Sequence, residues 1–192
     1  MSLPDFRRRV VSTRITFPLT VSLLCLSLTA APSELPTPYP YLTTSRSGRF
    51  YFKMAPGRDV YGYGAAYAVL ASQDTELWSV SGWYSFRTFL SDDGRYLVSL
   101  FGRTSIPRVE QAEPTDPLVA FYDNGKLLAQ HSIAQLIQDP AAINRSESLT
   151  YLQPSPAPGF DELGHSFSFV TGEHVTFAFD IRTGAIVSKH GP

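Results

Sequence analysis

Carboxylates that could serve acid–base or glycoside chemistry stand at Glu76, Asp92, Asp93, Asp161 and Glu162, with His165 close behind the last pair. Hydrolysis at a glycosidic bond needs two such groups flanking one substrate. Asp92 and Asp93 fall in a Ser-Asp-Asp-Gly segment, where Asp is favoured for turn hydrogen bonding alone. Asp161 and Glu162 lie in an irregular stretch that no turn signature explains, so Asp161, Glu162 and His165 are the catalytic candidates, for a carboxylate-dependent hydrolase or lyase. Nucleophilic chemistry has less to draw on. There is no G-x-S-x-G elbow, and Cys25 is the only cysteine. Ser166 beside His165 and Ser132 beside His131 are sequence neighbours on strands, which sends their side chains to opposite faces. His131, His165, His174 and His190 follow no H-E-x-x-H or C-x-x-C spacing, so they read as solvated hairpin residues, and neither a metal nor any other cofactor is called for.

The aromatic residues are the most distinctive set. Tyr61, Tyr63 and Tyr67 interleave with Gly62 and Gly64, and Trp78, Trp83 and Tyr84 follow closely. Flat rings beside small residues can stack on a sugar or grip an extended peptide, although Trp and Tyr also fill cores. These six are the candidate ligand-binding residues, with the Pro-bearing loop from Arg103 to Asp116 as a second contact region. They suit a non-catalytic binding or interaction module with a protein or glycan partner. A third reading is a structural or assembly role through exposed edge strands.

The elements that must hold these residues are strands. From about residue 45 onward, short runs rich in Phe, Tyr, Val and Leu alternate with Gly, Asp and Asn clusters. Strands are predicted at about 49–54, 64–71, 75–81, 83–90, 95–101, 117–123, 126–131, 165–170, 174–180 and 184–189. Gly94 suits the positive φ of the turn at 91–94, and Asn124-Gly125 is a two-residue hairpin signal that pairs Asp123 with Lys126. A three-residue loop at Thr171-Gly172-Glu173 is predicted to pair Phe169 with Val175 and Phe167 with Phe177, collecting the rings on one face. Asp180 caps the turn that Gly184 closes. Ser132 and Gln135 form a capping box ahead of Ile133, Leu136 and Ile137, which predicts one helix of about two turns near 133–138. The fold class is therefore all-β, mainly an antiparallel meander, sandwich-like or partly propeller-like, with that short helix. Loops at 103–116 and 153–164 break the rhythm.

The N-terminal segment sets location. Arg7, Arg8, Arg9 and Arg14 precede an uncharged run from Ile15 to Ala31, which reads as a signal peptide over residues 1–31 that engages the export machinery. The expected location is periplasmic or secreted, the alternative being a membrane anchor formed by an uncleaved signal. Residues 32–44 carry four prolines and read as a linker, leaving 45–192 as one domain. Without residues 1–31 the 16 basic and 17 acidic residues become 12 and 16. That mild acidity gives phosphates nothing to neutralise, so nucleic acid is not an expected partner.

The segments 89–98, Phe-Leu-Ser-Asp-Asp-Gly-Arg-Tyr-Leu-Val, and 179–187, Phe-Asp-Ile-Arg-Thr-Gly-Ala-Ile-Val, resemble single repeats of β-propellers. A blade takes roughly 40 residues and at least four blades are typical, so the chain has barely enough for a closed ring. No regular internal period is evident. Taken with 77–84 and 121–128, the order of segments resembles a group of uncharacterised secreted bacterial proteins. That resemblance implies no activity, cofactor or catalytic residue.

Overall fold

The computed structural model describes residues 37–57, 62–100, 113–138, 152 and 156–191. The chain divides between Ala31 and Pro32, and every described residue belongs to the second unit. The expected signal peptide, Tyr61 and most of the 103–116 loop lie outside the described residues.

Strand alternation and tight turns produce three antiparallel sheets, each a four-stranded meander closed on contiguous chain. Sheet I contains β1 (Tyr41–Thr44), β2 (Phe50–Pro56), β3 (Gly62–Ala68) and β4 (Thr75–Ser81). Sheet II contains β5 (Arg87–Leu90), β6 (Tyr96–Leu100), β7 (Pro117–Asp123) and β8 (Lys126–Ser132), and α1 (Ile133–Leu136) follows it. Sheet III contains β9 (Gly159–Phe160), β10 (Ser166–Val170), β11 (Thr176–Asp180) and β12 (Ile186–His190).

The first hairpin of each sheet is the same structure. Its turn opens at Ser45, Ser91 or Asp161 and turns through Gly48, Gly94 or Gly164, with φ of 68°, 70° and 68°. The opening residue donates its N–H to the carbonyl five positions on, over 2.9, 2.9 and 3.0 Å, and its own carbonyl accepts from the glycine N–H. Its side chain accepts from the amide of Phe50, Tyr96 or Ser166. The sequence shows no period because the openings at 45, 91 and 161 are 46 and then 70 positions apart. Added length between sheets costs little, since loop-closure entropy grows only with the logarithm of length.

Equivalent positions then share a direction. Phe52 and Met54 of β2 pack toward sheet II, in a core completed by Ala66, Trp78, Val80, Tyr84, Leu90 and Leu97. Their counterparts Val98 and Leu100 of β6 pack toward sheet III, with Phe121, Phe167, Phe169, Phe177 and Phe179. Sheet II is therefore the middle layer, and all five residues of β6 are buried. The third turn of each later sheet seats on the last strand of the sheet before it. A Cβ on Gly125 would come within 2.7 Å of Ser79 O on β4, and one on Gly184 within 2.5 Å of Ala129 Cβ on β8.

Several expectations are corrected. Tyr41–Thr44, expected in the linker, is strand β1, because Tyr41 turns inward and donates its hydroxyl to Ser85 O over 2.8 Å. The strand expected at 83–90 begins only at Arg87, since Gly82 at φ 87° turns the chain out of sheet I. β9 lies within the expected 153–164 loop. The β10–β11 loop is 172–174, not 171–173. His174 takes the left-handed position that three-residue hairpin loops require, so Phe169 faces Phe177 and Phe167 faces Phe179. The rings still share one face, because the register moves by two. The capping box of α1 is present, yet Ile137 is already extended and the helix is one turn.

Candidate functional site

The six aromatic candidates separate. Trp78 is a core residue, 8% exposed, whose Nε1 donates to Gly94 O over 2.8 Å and whose ring lies 5.6 Å from Phe52. Tyr84 is also buried. Its hydroxyl donates to Tyr39 O, and burial pushes its pKa up despite that hydrogen bond. Tyr67 stacks on Tyr51 at 5.0 Å on the face of sheet I turned away from sheet II, and Tyr63 lies exposed on the same face.

Trp83 is half-buried at the rim between sheets I and II. It follows the left-handed Gly82, and its indole stacks on Tyr122 with centroids 5.0 Å apart and planes 18° from parallel. Around this pair, Ser79, Val80, Ser81, Gly125 and Leu127 complete a groove of about 480 Å³, within the usual range for ligand sites. One wall is the edge of β4, the last strand of its sheet, against which the Asn124-Gly125 turn sits at Ser79 O. Gly82 N–H donates to Gly62 O over 3.0 Å. By antiparallel alternation, Ser79 and Ser81 therefore direct their backbone groups off that edge, Ser79 O toward the Gly125 turn and Ser81 toward the groove.

Tyr122 was not among the sequence candidates. Its signal was the alternation of β7, which sets Ala120 and Tyr122 on the face opposite Val119 and Phe121. Burial pushes the Tyr122 hydroxyl up to about 12, with nearby Ser99 offsetting part of the shift. The approach falls short of hydrogen-bond geometry, and the fully buried Ser99 Oγ has no partner among the described residues.

The catalytic candidates sit at the first turn of sheet III. Asp161 Oδ1 accepts from the amides of His165 and Ser166 over 2.7 and 3.2 Å. Burial raises the Asp161 pKa, but these hydrogen bonds outweigh it and hold the carboxyl below its ordinary value. Its counterparts Ser45 and Ser91 cap their turns without a carboxylate. The Glu162 carbonyl accepts from Arg46 Nη2 over 2.6 Å, while Arg46 Nε lies 3.4 Å from Asp92. Arg46 thus ties the first turns of all three sheets together, beside a cavity of about 120 Å³. Asp92 also accepts from Ser47 N–H, and Asp93 from Arg95 N–H. His131 Nε2 meets Gly184 O at 2.7 Å, and His174 occupies its hairpin loop. Among the described residues no group of three His, Cys, Asp or Glu side chains could hold a metal ion.

The likenesses to solved structures are to β-propeller proteins. A candidate 6-phosphogluconolactonase from Bacteroides fragilis is 17% identical, with 79% of this chain and 39% of that one covered and a TM-score of 0.41. The C-terminal WD40 domain of Sif2 is 10% identical, with 83% and 38% covered and a TM-score of 0.42. The periplasmic gluconolactonase of Pseudomonas aeruginosa is 16% identical, with 73% and 39% covered and a TM-score of 0.40. The chain thus spans about two-fifths of the length of these structures. No family model and no curated protein matches it.

Proposed function

We propose that this chain is a non-catalytic binding module that takes an extended peptide segment across the groove beside Trp83 and Tyr122. The observation that carries the reading is the Trp83–Tyr122 stack beside the outward backbone groups of Ser81. A peptide laid there gains main-chain hydrogen bonds at Ser81, and its side chains drop between the rings and Leu127. Trp and Tyr anchors of this kind commonly dominate binding energy. The carboxylate alternative draws less support, because Asp161 Oδ1 is engaged by the turn amides of His165 and Ser166, and Ser45 and Ser91 hold the equivalent of the second in the other two sheets. Export remains part of the proposal, and fractionation of the producing cell tests it by locating the chain.

The binding reading is tested by panning a displayed library of unstructured peptides and titrating the selected sequence against variants. Trp83→Ala should weaken binding by about tenfold or more, near 1.4 kcal/mol, while Asp161→Ala leaves it unchanged. Selection of no peptide, retention on a glycan array instead, or equal losses in the two variants would each reject the peptide reading.

A further inference from the structure

The two ends of the three-sheet stack are unlike, and the difference follows from the equivalence of the first hairpins. Positions that carry Phe52 and Met54 in sheet I, and Val98 and Leu100 in sheet II, face the next sheet. In sheet III they are Ser168 and Val170, and the same face carries Ser166, Ala178 and Ser188. That end is closed by small, mostly polar side chains, as terminal units of stacked architectures are.

The opposite end is not closed in this way. The outer face of sheet I presents Leu42, Tyr51, Tyr63 and Tyr67, with Leu42 62% and Tyr63 54% exposed. Both signs of charge share it. Lys53 on β2 is exposed and makes no ion pair with a described residue, while Glu76 on β4 and Asp74 beside it accept hydrogen bonds from Tyr67 and Tyr51. β3 runs midway between them.

We infer that the outer face of sheet I docks on the same face of a second copy of this chain. A two-fold axis lying in the interface along β3 sets β2 of one copy over β4 of the other. Lys53 then faces the strand that carries Glu76, and Tyr63, Ala65 and Tyr67 meet their own counterparts. The contact is face to face, unlike the head-to-tail stacking of sheet I on II and II on III, in which one face of a sheet meets the opposite face of the next. Because one end is sealed by serines, the association closes at two copies. Three strands of seven residues and one of four, about 4.8 Å apart, offer a face of roughly 400 Å² in plane. This is the low end of specific interfaces, so the dimer exchanges with monomer in the micromolar range.

Sedimentation velocity across a concentration series tests this on the full chain. The chain should shift from monomer to dimer with rising concentration and form nothing larger. Leu42→Glu and, separately, Lys53→Glu should each raise the dimer dissociation constant by about tenfold, with far-UV circular dichroism unchanged in at least one of them. Ser168→Glu, on the sealed end, should leave it as it was. A monomer at roughly 200 μM, species larger than a dimer, or dissociation by Ser168→Glu but not by Lys53→Glu would overturn the inference.

Discussion

Replacing the turn glycine by alanine in two of the three equivalent hairpins separates backbone strain from packing. Gly48 and Gly94 have φ of 68° and 70°, so an added Cβ meets the same left-handed penalty in each, about 1–2 kcal/mol. Part of that is returned by the stiffer unfolded chain, about 0.4–1 kcal/mol. Gly48→Ala should therefore cost at most about 1.5 kcal/mol, because no atom of the described residues lies within 4 Å of its Cβ. At Gly94 the same Cβ would lie 2.6 Å from Phe50 Cδ1, 2.9 Å from Phe50 Cγ and 3.0 Å from Leu77 Cδ1. Overpacking of that kind adds about 1–3 kcal/mol. The difference between the variants thus measures how tightly the first turn of sheet II is wedged against sheet I. Urea unfolding with the slope held common gives it directly, and in melting temperature an extra ~2 kcal/mol is about 4–8 °C. Equal midpoints for Gly48→Ala and Gly94→Ala would show that the turn does not bear on sheet I, and the stacking argument would fail with it.

Ser99→Ala should raise the urea midpoint, since it removes a fully buried hydroxyl without a partner among the described residues, whose desolvation costs about 1–3 kcal/mol; a lowered midpoint would mean that Tyr122 satisfies it. Tyr122 has a folded pKa of about 12, above its unfolded value, so its contribution is intact below about pH 10 and is lost as pH climbs through the folded pKa. Tyrosinate absorbance should therefore show a late step that Tyr122→Phe diminishes. Loss from the early step instead would contradict the burial of that ring.

Turn chemistry carried most of the legible fold. Asn124-Gly125, Asp180 with Gly184, and the Ser132–Gln135 box each have one economical geometry, and each is found. The strands missed were those whose alternation is masked by composition: β1 follows prolines, and β9 is two residues long within a Pro-bearing stretch. The repeat was missed for a different reason. Its three copies share an opening acceptor and a glycine, but the acceptor is Ser, Ser and then Asp, and the spacing is unequal. For the same reason Asp161 stood out as a carboxylate that no turn explained. The aromatic cluster was close in sequence yet is dispersed in space. Pleating sends Trp78 inward while Tyr63 and Tyr67 point away, and Tyr122, the ring that meets Trp83, comes from another sheet.

Every sheet is made from neighbouring chain, and apart from the hydrogen bond of Arg46 to the first turn of sheet III the cores join the sheets in order. Such a molecule has the thermodynamics of a short row of coupled units: each has its own stability and a term for each neighbour. β6 and β7 supply side chains to both cores, so the middle unit carries two coupling terms where the outer ones carry one. Loosening sheet II releases both flanks at once, whereas fraying of sheet I or III leaves the other two docked.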